Sequence, residues 1–183
     1  MKPAPTIAIR WAVAAADLIL AIENAARTSG AIDTVATVGI CEVFPGAVNS
    51  IPSRVRLSVD IRDTDVKRRD IVMQTLESAC RSVSTQRQVS VSTELLNADE
   101  PADCDPAILE ALSQSCQKHD LKFIPMVSRA YHDSLLLARI APIVMLFIPC
   151  RNGYSHRPDE YASPEDIVRG TLVLAETLAA LSS

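Results

Sequence analysis

The sequence predicts a chain of mixed α/β (α+β) class made of two unlike parts, and three observations carry that expectation. Strand and helix periodicities occupy separate segments: RVRLSVDIR (54–62) alternates polar and apolar side chains, whereas DTDVKRRDIVMQTLESACRSV (63–83) spaces Ile71, Val72, Leu76, Ala79 and Val83 near three and four apart. The stretch ADEPADCDP (98–106), acidic and with two prolines, separates two rhythms. Beyond it helical segments alternate with apolar ones, among them PIVMLFIPC (142–150), apolar on both faces as a strand of a parallel sheet must be.

Each element follows in order. IAIRWAVAAADLILAIENAAR (7–27) is rich in alanine and leucine, with Arg10, Asp17 and Glu23 or Asn24 returning at helical spacing, so it reads as a helix with one wet face. TVATVGICEVF (34–44), rich in β-branched residues and bounded by Pro45-Gly46, reads as a strand. In 54–62 Val55, Leu57, Val59 and Ile61 face a core and the polar residues face away. A helix follows, with Asp63 or Thr64 as its N-cap, and QVSVSTELL (88–96) alternates again as a third strand. The order helix, strand, strand, helix, strand fits helices on one face of an antiparallel sheet, a βαββαβ unit lacking its first strand. After the boundary come a helix (106–120), a short strand LKFIPMVS, a helix YHDSLLLARI, the strand 142–150 and a closing helix with Ser163 as N-cap. The expected division is 1–98 and 99–183.

Composition narrows the function. A net charge of −4 with interspersed signs and few aromatics gives no footprint for nucleic acid. The longest apolar run, 140–150, is broken by Pro142 and falls short of the roughly 20 residues a bilayer span needs, so no membrane is expected. Arg10, Asp17 and Glu23 interrupt the apolar N-terminal stretch, which therefore reads as a helix rather than a signal peptide. Five cysteines without zinc-site spacing read as reduced thiols of a cytoplasmic protein, with Cys41, Cys80 and Cys150 as small core residues.

Three places could carry chemistry. In PGAVNSIP (45–52) Asn49 offers a donor and an acceptor, and Arg62, at the far end of the next strand, offers a fork for a carboxylate; periodicity alone favours the plainer reading of a turn residue and a solvated strand end. In SRAYHDS (128–134) His132 stands beside Asp133 where a strand gives way to a helix, either as a functional imidazole or as a neighbour of an N-cap aspartate. In NGYSHRPDE (152–160) His156 occupies a loop just past a strand, a place for a metal ligand, but a catalytic zinc needs about three protein ligands. His119 cannot complete that set, and Asp159 and Glu160 read as solvated charges. Glycine-rich phosphate loops and a nucleophile elbow are absent.

Taken together, TVGICEVFPGAVNSIPSRVRLSVDIR, SRAYHD and MLFIPCRNGYSHRPDEYASPEDIVRGTLVL resemble, in order and spacing, the carboxyl-terminal half of the metal-dependent amidases of the hydantoinase/carbamoylase family. N-carbamoyl-L-amino acid hydrolases, allantoate amidohydrolases and ureidoglycolate amidohydrolases belong to that family, which is related to di-metal aminopeptidases. The resemblance runs from about Pro5 to Leu178. It implies that 1–98 is an incomplete ferredoxin-like βαββαβ lid and dimerisation domain, and 99–183 the final αβαβα part of a di-metal peptidase-like catalytic domain. It further implies that Asn49 and Arg62 grip a substrate carboxylate, that Ala130 and His132 lie in a loop framing the substrate, and that His156 is the last metal ligand. The implied partners are a small-molecule carboxylate and a second copy of the chain, and the implied cofactor is zinc or manganese.

The family's His-x-Asp motif, its Glu-Glu pair and its other histidine ligand have no counterpart here, and Arg129 and Tyr131 stand where the family loop has glycines. The expectation is therefore a truncated product or fragment of an amidohydrolase cleaving the C–N bond of carbamoyl or ureido carboxylates, inactive by itself. The alternative is a non-catalytic dimerisation or small-molecule-binding module derived from the same family.

Overall fold

The computed structural model describes residues 10–182, so the first three positions of the expected opening helix lie outside the described residues. The chain divides into two compact units, 1–101 and 102–183.

The first unit contains α1 (Arg10–Arg27), β1 (Val35–Phe44), β2 (Arg54–Arg62) and α2 (Val66–Arg87). β1 and β2 form an antiparallel hairpin in which Val35 stands opposite Arg62 and Phe44 opposite Arg54, with an irregularity between Val38 and Ile40. The alternation in β2 works as expected: Val55, Leu57, Val59 and Ile61 are partly buried, whereas Arg54, Arg56 and Asp60 are exposed. α1 buries Ala14, Ala15, Leu18, Ile22 and Ala25, a stripe at helical spacing. Ala14 and Leu18 pack with Cys80 and Val83 of α2, and Leu57 of the hairpin closes the cluster from the sheet side. A polar contact fastens the two helices beside the stripe, with Arg87 Nε donating to Asp17 Oδ2 at 2.7 Å.

The α2 N-cap is Asp65, whose side chain accepts from the Lys67 and Arg68 backbone N–H groups. It is neither Asp63 nor Thr64, because Asp63 is committed elsewhere. Ile71, expected in the core, is 60% exposed, one helical step off the stripe that buries Val72. α2 ends with Gln88 in the left-handed region, and Ser84 Oγ donates to the Val89 carbonyl at 2.7 Å. From there Val89 and Val91 do pack inward, as the alternation of 88–96 implies.

The segment 88–96 is nonetheless no strand, since among the described residues only β1 and β2 pair. A strand is defined by a neighbour's hydrogen bonds as much as by its own alternation, and no described segment lies alongside 88–96 in a ladder. The expected strands at 121–128 and 142–150 are corrected for the same reason.

The second unit contains α3 (Pro106–Lys118), α4 (Ser134–Leu137), a tight turn at Arg151–Gly153 and α5 (Pro164–Leu181). Asp105 caps α3 through the Ala107 and Ile108 N–H groups, with Pro106 at the first helical position. Ser163 caps α5, as expected, by accepting from the Asp166 N–H. The core joins Leu112 and Cys116 of α3 to Val173 of α5, with Leu121 and Val144 packed against it. Buried Thr177 donates to the Val173 carbonyl at 2.7 Å, and the Ser115 hydroxyl lies 3.1 Å from the same Oγ1 as its second partner, so the polar atoms of that contact are satisfied. Cys80 and Cys116 are the buried cysteines; Cys150 is half-buried and Cys41 exposed, the latter correcting its assignment to the core. No helix of the described residues is long and apolar enough to cross a membrane.

Candidate functional site

The hairpin positions the first group of residues. Its connecting loop begins at Gly46, whose φ of +73° and close approach to the Val43 carbonyl leave no room for a Cβ. The loop closes where Ser53 N–H donates to the Phe44 carbonyl at 2.9 Å, and the Arg54 guanidinium covers the Phe44 ring at 4.1 Å. Asn49 is exposed in this loop. Arg62 ends β2 at the opposite end of the hairpin, its side chain 38% exposed.

Two carboxylates flank Arg62. Asp60 lies on the same face of β2, two residues back, and its Oδ2 accepts from Arg62 Nε at 2.8 Å and also from Nη2. Asp63, the next residue along, has a side chain with no solvent exposure. It accepts from Thr34 Oγ1 at 2.6 Å, from Arg68 Nε at 2.8 Å and from the Asp65 N–H at 2.9 Å, with a further bond from Arg68 Nη2. Burial alone would raise its pKa, but these hydrogen bonds, led by that of Arg68, lower it from 3.8 to about 2. The network ties the start of β1, the end of β2 and the first turn of α2 around the residue that follows Arg62.

In the second unit Ser128, Ala130 and His132 come together. His132 Nε2 lies 2.6 Å from Ser128 Oγ, and the Ala130 N–H donates to the same hydroxyl at 3.3 Å. The imidazole also meets the Phe147 ring, with centroids 5.8 Å apart. Arg129 holds φ +56°, a left-handed conformation that glycine adopts more readily. Asp133 occupies the N-cap position of α4, but its side chain makes no capping bond.

His156 belongs to a loop tied at its base, where the Arg151 N–H donates to the Tyr161 carbonyl at 2.8 Å. Arg151 lies over the Tyr161 ring at 4.3 Å and Arg157 over the Tyr154 ring at 3.9 Å. Arg157 also forks onto Asp159 with two bonds of 2.9 Å. His156 itself is exposed with φ +58°, and its backbone N–H donates to Glu160 Oε2 at 2.7 Å. Asp159 and Glu160 are thus engaged within the loop. Among the described residues no three His, Cys, Asp or Glu side chains gather as a metal site. The residues present do not fit a catalytic divalent ion, which His156 alone cannot hold.

Reading the sequence missed the partners. Ser128 was findable as the hydroxyl four residues before His132, and Asp60 as the acidic residue two before Arg62 on the same strand face. His119 ends α3 with its buried Nε2 only 3.0 Å from Glu176 Oε1 of α5, though not aligned for a good hydrogen bond. His119, together with Lys118, lowers the Glu176 pKa. A contact 57 residues apart in sequence leaves no local signal.

The model of peptidase family M20/M25/M40 matches residues 7–180. A ureidoglycolate hydrolase of Oryza sativa subsp. japonica is 47% identical over 93% of this chain and 35% of its own length. The crystal structure of AtUAH in complex with glyoxylate is 46% identical and superposes with a TM-score of 0.87 over 93% of this chain and 40% of that one. An amidase of the hydantoinase/carbamoylase family from Burkholderia vietnamiensis is 27% identical with a TM-score of 0.88, over 98% of this chain and 43% of that one. Relatives named N-carbamoyl-L-amino-acid amidohydrolase and allantoate amidohydrolase match as well. The chain spans well under half the length of these proteins, and with nearly all of its own length it belongs to peptidase family M20/M25/M40, on the branch of the hydantoinase/carbamoylase amidases.

Proposed function

We propose that this chain supplies the substrate-carboxylate grip of a metal-dependent amidohydrolase that cleaves the C–N bond of a carbamoyl or ureido group on a small carboxylate. The observation that carries this reading is the likeness to AtUAH, a protein crystallised with the small carboxylate glyoxylate, at 46% identity. Arg62 is the gripping group, a half-exposed guanidinium whose planar fork suits a carboxylate. Asn49 serves a carboxylate from the hairpin loop, and Ala130 and His132 frame the reacting end of the substrate. Residues 1–98 act as a lid and dimerisation domain, for which the exposed Ile40 and Val43 of β1 provide apolar surface. Residues 99–183 form the last part of the catalytic domain. His156 is the contribution of this chain to a zinc or manganese centre whose remaining ligands and general base it does not contain, so the chain by itself is inactive.

Two measurements test the reading. Calorimetry with glyoxylate is expected to give saturable binding that Arg62→Ala abolishes; no binding overturns the grip. Incubation with ureidoglycolate, allantoate or N-carbamoylglycine plus manganese or zinc is expected to give no hydrolysis above background. Clear turnover overturns the assignment of the missing ligands to residues outside this chain. The lack of a metal-ligand cluster among the described residues favours the second reading, a non-catalytic binding or dimerisation module. Glyoxylate binding by a dimer that never gains activity when supplied with the rest of such an enzyme establishes it.

A further inference from the structure

Ser128 and His132 meet across one turn of loop, and the contact between them has a definite polarity. Arg129 holds φ +56° between the two, and the Leu135 N–H donates to the His132 carbonyl at 2.9 Å, which fixes the histidine at the start of α4. Ser128 and His132 are half-buried, whereas Arg129, Ala130 and Tyr131 between them are exposed. The serine hydroxyl owns one proton and two lone pairs. One lone pair takes the Ala130 N–H at 3.3 Å, and the other contact is His132 Nε2 at 2.6 Å. If the serine donates, its proton goes to the Nε2 lone pair. If Nε2 donates instead, the serine proton has no acceptor among the described residues. The distance agrees with the first arrangement, because 2.6 Å is shorter than the about 2.7–3.2 Å of an N–H donor to oxygen and suits a hydroxyl donor.

We propose that Ser128 is a positioning residue that holds neutral His132 in the tautomer with its proton on Nδ1, so that the imidazole meets a ligand as a hydrogen-bond donor and not as a base. Which ring nitrogen carries the proton is set by the bond the other one makes. With Nε2 engaged by the hydroxyl, Nδ1–H is the polar group left for whatever the loop frames. The same hydroxyl keeps its place when the imidazole takes a second proton, because it rotates to accept from Nε2–H through its remaining lone pair. Nδ1 therefore carries a proton in both states, and the loop offers a donor whether the imidazole is neutral or charged. Phe147, whose ring centroid lies 5.8 Å from that of the imidazole, belongs to the stretch 142–149, which like α4 has no charged side chain. The charged residues beside His132 are those of its own loop, Arg129 and Asp133. The ligand group that fits such a donor is a carbonyl-type oxygen. This inference rests on the reading of Ala130 and His132 as the frame of the substrate's reacting end, and adds to it how the imidazole acts and which residue makes it act so.

The test reads the tautomer itself, by long-range proton–nitrogen NMR correlation on the full chain at about pH 8.5, above the ordinary imidazole range. The expected result is an excess of the Nδ1–H form over the Nε2–H form of about tenfold, the worth of one hydrogen bond. Ser128→Ala is expected to remove that excess, and Ser128→Thr, which restores a hydroxyl, to regain most of it. A serine that only supports the loop would leave the tautomer unmoved. Retained backbone amide shifts for α3 and α5 verify that the second unit stays folded in both variants. A dominant Nε2–H form in the native chain, or an unchanged tautomer in Ser128→Ala, overturns the proposal. A second titration compares N-carbamoylglycine, whose ureido oxygen accepts, with guanidinoacetate, in which an iminium N–H group replaces that oxygen and leaves donors only. Movement of the His132 Nδ1 resonance with the first probe and not the second supports the donor role, and equal movement with both overturns it. No movement with either overturns the reading of His132 as a frame for the substrate, while the tautomer result stands or falls by itself.

Discussion

Asn49 and Arg62 stand at opposite ends of one β-hairpin. Arg62 pairs with Val35 at the open end, while Asn49 sits in the loop that joins Phe44 to Arg54. The strand between Arg54 and Arg62 alone covers roughly 26 Å at ~3.3 Å per residue. Two groups so placed cannot reach one small carboxylate together within one chain. In dilute solution Arg62→Lys is expected to weaken glyoxylate binding about tenfold, because an ammonium cannot reproduce the planar fork. Asn49→Ala is expected to leave binding at Arg62 unchanged, and the double variant to match Arg62→Lys. Calorimetry on the four proteins measures the coupling, which sites without shared partners keep within about 0.5 kcal/mol.

Asp63 makes the end of β2 sensitive to acid. Its folded pKa of about 2 lies below its ordinary value of 3.8, so its contribution is fully present above about pH 4 and is lost as the pH falls toward 2. The side chain is inaccessible to solvent, so the shift carries about 2 kcal/mol, an order-of-magnitude figure. Asp63→Asn is expected to destabilise the chain by about that amount at pH 7. It should also flatten the acid limb of stability between pH 4 and 2, where the native chain still loses this contribution. Urea titrations at pH 7, 4 and 3 check it; equal acid limbs in the two proteins contradict it.

How much of this was legible in the sequence differs between backbone and site. β2 is found at its expected bounds, 54–62, because its strict alternation is a local property. Capped α5 is equally local, written in Ser163 and the acidic first turn. The segments 88–96 and 142–150 read as strands but pair with nothing described, since residue pattern encodes extension and burial whereas pairing belongs to a neighbour. The candidate residues themselves were visible as types in turns and at strand ends. Their partners were not, because Thr34 with Asp63 and His119 with Glu176 meet only through the fold.

His156 is expected to bind a divalent ion weakly. Its loop commits Asp159 to Arg157 and Glu160 to the backbone N–H of His156, and no ligand cluster forms among the described residues. Calorimetric titration with zinc and with manganese should give small, unsaturated heats, scarcely altered in His156→Ala. Stoichiometric binding that disappears in that variant contradicts the expectation and shows that the imidazole has found further ligands.

Gly170 and Ile148 form a contact whose energetics reverse sign with the partner. Gly170 lies inside α5, where alanine is ordinarily better by about 1 kcal/mol. A Cβ at this position collides with Cγ2 of Ile148, a methyl on a β-branched carbon that cannot swing away freely. Relieving such an overlap costs about 1–3 kcal/mol, more than the helix gains. Gly170→Ala is therefore expected to destabilise the second unit by about 1 kcal/mol. Ile148→Ala removes the methyl and leaves only the Ile148 Cβ at 3.9 Å, ordinary contact distance. In that background the same Gly170→Ala change is expected to stabilise, by up to about 1 kcal/mol of helix propensity. Urea denaturation of the four proteins with equal m-values reads both signs, and a Gly170→Ala effect of the same sign in the two backgrounds rules the contact out as its cause.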